Sequence, residues 1–277
     1  MPVLSRLLLS AGILSLFVAN PSPLRADNAT PPDPAVPRDP ASSALREKMV
    51  RGYHALHSYR EQVVQSQWAK SREDAKQIRI DFRYQKPNRF YLNVDYPEVT
   101  ATGRWHLTYA CDGKTLTLYN SARNTFQRIK APAKLDMLVL PGSLRGPEFS
   151  VLMREADPLS ELEKDSLVKY ATSYEAGEQG NADVLKMDIQ QDNARRILQY
   201  RLDPKDHLVR GFTLTITPDP GQTSPFLDAE RPSTVEAAYG GVELNPRLKD
   251  SEFTVVLPAD AKENAADAPL KKSTAGR

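Results

Sequence analysis

The 277-residue chain carries 37 Lys and Arg against 35 Asp and Glu, without the basic excess that neutralising a phosphate backbone requires, so no nucleic-acid partner is expected. Residues 1–26 hold two of those bases, Arg6 and Arg25, and no acid, which leaves 35 against 35 in the rest. Cys111 is the single cysteine, so no internal disulfide can form and an exported chain must fold on packing alone.

Arg6 precedes the apolar run LLLSAGILSLFVA, which has the length of a secretory signal core and is short for a bilayer span, and LRA ending at Ala26 offers a cleavage site. A signal peptide over 1–26, cleaved after export to the periplasm, is expected; the rival is an uncleaved anchor, against which Pro21 and Pro23 stand. Residues 27–41 are Pro-rich without apolar periodicity and predict an extended linker. Ser42 and Ser43 can cap a helix in which Leu45, Met49, Tyr53 and Leu56 recur at spacings of three and four.

Strands follow. SYREQVVQSQWA is the first, and QIRIDFRYQKPNRFYLNVDYPE contains two more, with Ile78, Ile80, Phe82 and Tyr84 on one face of the first and Phe90, Leu92, Val94 and Tyr96 on one face of the second. Such a face is either ordinary core or the wall of a cavity. WHLTYACDGKTLTLYNSARNTFQRI reads as three short strands broken at Asp112-Gly113 and at Ala122-Arg123-Asn124. The stretch from Pro132 to Ser166 is rich in Leu and Met with Pro and Gly breaks, and predicts two or three short helices.

LVKYATSYEAGEQ, ADVLKMDIQQ, RRILQYRLDP, LVRGFTLTIT, STVEAAYGGV and SEFTVVLP return to strands, and 259–277 has the composition of a disordered tail. About ten antiparallel strands with helices confined to one end and one interlude define an α+β protein with a single domain over 42–258.

Catalytic patterns are missing. His54 and His57 stand three apart on the first helix without a third ligand at a recognisable spacing, Ser143 lacks a nucleophile elbow, and no phosphate-cradling Gly-rich loop occurs. His106 and His207 stand alone on expected strands, and Asp157-Pro158 and Asp203-Pro204 read as a helix start and a turn. The expectation is a protein with no catalytic residues, no metal and no cofactor, with Cys111 a buried strand residue.

Three segments resemble the LolA-like family of periplasmic carriers and sensors, related to the outer-membrane lipoprotein carrier. The first has Lys86-Pro87 ahead of an aromatic strand running to Pro97, the second Asp112, Gly113 and Tyr119, and the third Asn245, Leu248, Asp250, Phe253 and Pro258. Departures from the carrier are Lys86 in place of an Arg, Thr117 in place of an aromatic and Arg79 in place of a small Gly.

The resemblance implies a strongly curved antiparallel sheet, an incomplete β-barrel, with helices covering its concave apolar face. It further implies a cavity for lipid, acyl chains or lipoprotein cargo, lined by Ile78, Ile80, Phe82, Tyr84, Phe90, Leu92, Val94, Trp105 and Leu107 under a lid of Leu138, Leu140, Phe149, Leu152 and Met153. Transient membrane contact would accompany such a carrier. The alternative within the same family is a periplasmic sensor or regulatory protein that binds an envelope protein partner.

Overall fold

The computed structural model of the chain describes residues 40–69, 71–100, 103–132, 135, 146–154, 167–175, 181–191, 194–219 and 232–264. The expected signal peptide, nearly all of the linker, Leu138 and Leu140 of the expected lid, Asp157-Pro158 and the tail from 265 lie outside the described residues.

Six strands precede the stretch 132–166: β1 (Ser58–Trp68), β2 (Lys76–Gln85), β3 (Arg89–Thr100), β4 (Gly103–Asp112), β5 (Thr115–Asn120) and β6 (Thr125–Lys130). After it come β7 (Leu167–Glu175), β8 (Ala182–Gln191), β9 (Ala194–Leu202), β10 (Val209–Pro218), β11 (Ser233–Leu244) and the short β12 (Lys262–Glu263). They form one sheet in the order β12-β6-β5-β4-β3-β2-β1-β11-β10-β9-β8-β7. Two antiparallel meanders are thus joined where β1 pairs β11. The two edge strands do not pair with each other, which makes this an open sheet, an incomplete barrel.

Register explains why one face is apolar. Phe82 stands opposite Leu92, Tyr84 opposite Phe90 and Ile80 opposite Val94, while Val94 in turn faces Leu107. Directly paired residues point to the same side, so the alternation of each strand sums to one continuous apolar surface.

Helix α1 (Pro40–His54) lays Leu45, Met49 and Tyr53 on that surface at helical spacing. Helix α2 (Pro147–Arg154) adds Phe149, Leu152 and Met153, all buried. Each aromatic or Leu side chain removed from water in this layer stabilises by about 1.5–3 kcal/mol.

Turns follow the sequence. Gly113 sits at φ 92 between β4 and β5, a backbone region open to glycine and costly for other residues, while Asp112 Oδ1 accepts from the N–H groups of Lys114 and Thr115 at 2.7 Å. Gly241, at φ 57, absorbs the extra residue where the β1–β11 register shifts between Arg60 and Gln62.

The residues that carry the family resemblance fasten one end of the sheet. Lys86 donates from Nζ to the His54 carbonyl at 2.7 Å, closing the C-terminus of α1. Asn245 Oδ1 accepts from the His57 amide at 2.7 Å. Arg89 holds Asp250 at 2.8 Å and lies 4.4 Å from the Phe253 ring centre. Fully buried Phe253 therefore pins the chain's final segment to the hairpin of β2 and β3.

Three expectations need correction. SEFTVVLP is not a strand: Asp250–Phe253 forms a 3-10 turn, because the Glu252 carboxylate accepts the Lys249 amide at 2.8 Å and Arg60 binds Glu252. His207 lies in a turn at φ 57, not on a strand. His57 falls beyond the end of α1 at His54, in the bend before β1. The described structure also begins its first helix at Pro40 and continues past Pro258 to pair β12 with β6. Cys111 is a buried free thiol on β4, as expected.

Candidate functional site

The structure gathers the predicted lining residues on one face. Ile80, Phe82, Tyr84, Phe90, Leu92 and Val94 are buried, while Ile78, Trp105 and Leu107 are partly buried against the same cluster. Trp105 stacks on Tyr96 with centroids 4.1 Å apart and an interplanar angle of 18°. Of the expected lid, Phe149, Leu152 and Met153 are described, and Phe149 meets Phe82 at 4.7 Å between ring centroids. α2 therefore covers the centre of the apolar face through one aromatic contact and two aliphatic neighbours.

Sequence reasoning missed what lies beneath that helix. Glu61 of β1 and Glu148 of α2 are both 0% exposed. Tyr59 donates its hydroxyl proton to Glu61 Oε2 at 2.5 Å, and the Tyr239 hydroxyl lies 3.2 Å from both carboxyl oxygens of Glu148. Glu61 Oε1 finds no hydrogen-bond partner among the described residues.

Aromatic rings wall the site. Tyr53 and Tyr59 meet edge to face at 5.9 Å, Tyr59 and Phe82 at 6.3 Å, and Phe212 and Tyr239 at 6.5 Å. Removal from water pushes the Glu148 carboxyl up to about 8, and pushes Glu61 well above the usual carboxylate range with the charge of Glu148 adding to the effect. The same burial raises Tyr53, Tyr59 and Tyr239, so their hydroxyls stay protonated.

A signal for Glu61 did exist. It occupies the apolar side of the β1 alternation, between Tyr59 and Val63, and stands opposite Phe82. An acid in phase with core residues requires a partner or a proton. Glu148 gave no comparable signal, since an acid just after Pro147 at a helix start is what the helix dipole favours anyway.

Gly146 lets the two elements meet. A Cβ built there would lie 1.7 Å from Glu148 Oε1, so Gly146→Ala must push the carboxyl out of its place beside Tyr239. The expected cost is about 1–3 kcal/mol in a urea titration, the range for an overpacked interior. A variant as stable as the wild type would show that Glu148 can relocate freely.

The opposite face of the sheet is polar. Arg83, Tyr91, Asn93, Asp95, His106 and Thr108 line an open groove of about 370 Å³ beneath the segment Thr254–Val256. Arg83 lies over the Tyr91 ring at 4.8 Å and binds Asp81 at 2.5 Å, and Thr108 donates to Asn93 at 2.7 Å, so these side chains largely satisfy one another. Among the described residues no group of three or more His, Cys, Asp or Glu side chains could hold a metal ion, and His54 and His57 are both exposed.

Comparison with known proteins places residues 54–164 in a match to the family described as "Predicted periplasmic protein (DUF2092)". No curated protein matches the chain. Among solved structures it is similar to the lipoprotein LppX of Mycobacterium tuberculosis, at 10% identity and TM-score 0.39 over 76% of this chain and 98% of that one. It is also similar to a LolA superfamily protein of Nitrosomonas europaea, at 11% identity and TM-score 0.31 over 77% and 97%. A third is MucB in its complex with MucA from Pseudomonas aeruginosa, at 10% identity and TM-score 0.39 over 78% and 61%. The architecture itself rests on the strand order and register.

Proposed function

We propose that this is a periplasmic, non-catalytic protein that binds an apolar ligand, a lipid or an acylated cargo, between the sheet's apolar face and α2. The observation that supports it best is the junction of that helix with the sheet. Beside the Phe82–Phe149 contact, α2 buries its own Glu148 next to Glu61 of β1, an arrangement a permanent core avoids because acids without a bound counter-charge are costly to bury. A helix that leaves the sheet in order to admit ligand returns those acids to water. The family description of a predicted periplasmic protein agrees with the export signal expected over 1–26.

The test is binding of a fluorescent fatty-acyl probe to the folded protein and its displacement by phospholipid or an acylated peptide. Leu92→Asp, placed in the middle of the apolar face, is expected to stay folded and to bind the probe at least about tenfold more weakly, because a charge on a ligand-sized cavity wall can be hydrated. No binding by the wild type, together with collapse of Leu92→Asp, would show a solid core.

A second reading, a sensor that binds an envelope protein partner, draws on the polar outer groove and on the near-complete exposure of Val256 beside it. That reading predicts that Val256→Asp abolishes capture of the partner and leaves acyl-probe binding unchanged.

A further inference from the structure

We propose that Glu61 and Glu148 form a protonation-controlled latch, which holds α2 on the apolar face while both carboxyls keep their protons and releases it as they ionise. This deepens the reading of α2 as a lid and rests on it. The geometry carries the proposal, because the two acids belong to the two parts that must separate, β1 of the sheet and the first turn of α2. Both are fully buried and neither has a cation bound to it among the described residues.

Each element around the pair contributes a definite group. From α1 comes the neutral Tyr53 hydroxyl, which itself accepts from the Val209 amide at 3.3 Å. Buried Arg46 belongs to the same helix. β1 supplies Tyr59 and β11 supplies Tyr239, both as hydroxyl donors. Among the described residues, a cation whose charge reaches Glu61 is Arg210 of β10, and its guanidinium is bound to Asp206 at 2.5 Å.

With protons in place, the two acids hydrogen-bond to one another and each accepts from a tyrosine hydroxyl, which leaves Glu61 Oε1 without a partner among the described residues. A single anion there is disfavoured by removal from water with no cation among these groups bound to it, and two anions also repel each other. Lifting α2 brings water to the pair and restores ordinary carboxylate acidity, so each carboxyl hydrated on opening couples one proton to it. The closed state is therefore fully favoured below the ordinary Glu range and loses ground as the pH rises, with the share due to Glu148 levelling off near 8, where that buried carboxyl ionises in place.

Hydrogen–deuterium exchange of the full chain tests this without any ligand, read as protection factors for 147–154 after division by the intrinsic exchange rate. Between pH 5.5 and 7.5 wild-type protection of α2 is expected to fall about tenfold per pH unit for each acid that opening hydrates. Glu148→Gln removes one such tenfold step, and Glu61→Gln with Glu148→Gln leaves protection flat. Tyr239→Phe, which takes away the hydroxyl that favours ionised Glu148, moves the levelling-off to higher pH.

Flat protection in the wild type overturns the latch, as does an unchanged slope in the double Gln variant. Should the double variant fail to fold, the direction of the Tyr239→Phe shift decides alone. Flat protection with intact acyl-probe binding removes the latch and keeps the carrier, whereas a sloping profile without probe binding does the reverse.

Discussion

Between pH 5 and pH 8 the unfolding free energy of this protein is expected to fall by no less than roughly 3–4 kcal/mol, the amount that Glu148 alone accounts for. Its carboxyl is held up to about 8 in the folded protein by removal from water, and returns to about 4.3 in the unfolded chain. Over the interval between those values the folded state binds a proton that the unfolded state has lost. A folded pKa above the unfolded one gives stability that is complete below the unfolded value and declines through the interval, at about 1.4 kcal/mol per pH unit. Glu61, shifted in the same direction by burial and by Glu148, adds to the decline.

Asp112 and Asp188 are shifted the other way by hydrogen bonds to backbone amides and to Arg195 respectively, but their effect falls below pH 4 and leaves this window alone. Urea titrations at pH 5 and pH 8 in one buffer series measure the difference. A stability that is level or rising over that range would mean that the two acids are not buried together. Replacing both by Gln should bring the pH 8 value up toward the pH 5 value.

Much of this architecture could be read from the chain because strands report their faces directly. The alternation of Ile78 to Tyr84 and of Phe90 to Tyr96 has only one partition between wet and dry sides, and β2 and β3 follow it. Asp112-Gly113 fixed a hairpin because Gly can occupy the φ 92 that the turn needs. Where polar side chains bond to nearby backbone the pattern misled: the Phe253 and Val255 phase suggests a strand, yet Glu252 folds back on the Lys249 amide and the turn wins.

The acid pair was half hidden for a related reason. Glu61 is visibly an acid in phase with the core residues of β1, whereas Glu148 becomes its neighbour only through a contact that spans β2 to β6. Local periodicity carries no information about which helix returns to which strand. The apolar residues from Phe82 to Leu107 share one face of the sheet, and that arrangement is common to a filled core and a closed cavity alike.

Cutting back the two rings that join α2 to the sheet separates those cases, and the expected outcome is asymmetric. Phe82→Ala, at a fully buried position between Tyr59, Leu92 and Phe149, is expected to cost about 3–5 kcal/mol of global stability, since β1, β2 and β3 close around the void without refilling it. Phe149→Ala removes a ring of the same size from the other side of the same contact. If α2 opens as a unit, however, its loss can weaken global stability only by as much as keeping the helix closed contributes. Once the closed form is no longer favoured, the open form becomes the folded reference and further loss has no effect on unfolding.

At pH 8, where the ionising pair has lost most of its hold on α2, the Phe149 variant should therefore lose well under half of what the Phe82 variant loses. Exchange protection should vanish in 147–154 and persist in β8, β9 and β10. Equal losses from the two substitutions, with protection lowered evenly through the sheet, would show that α2 is an inseparable part of the core, and a ligand entering beneath it would then be ruled out.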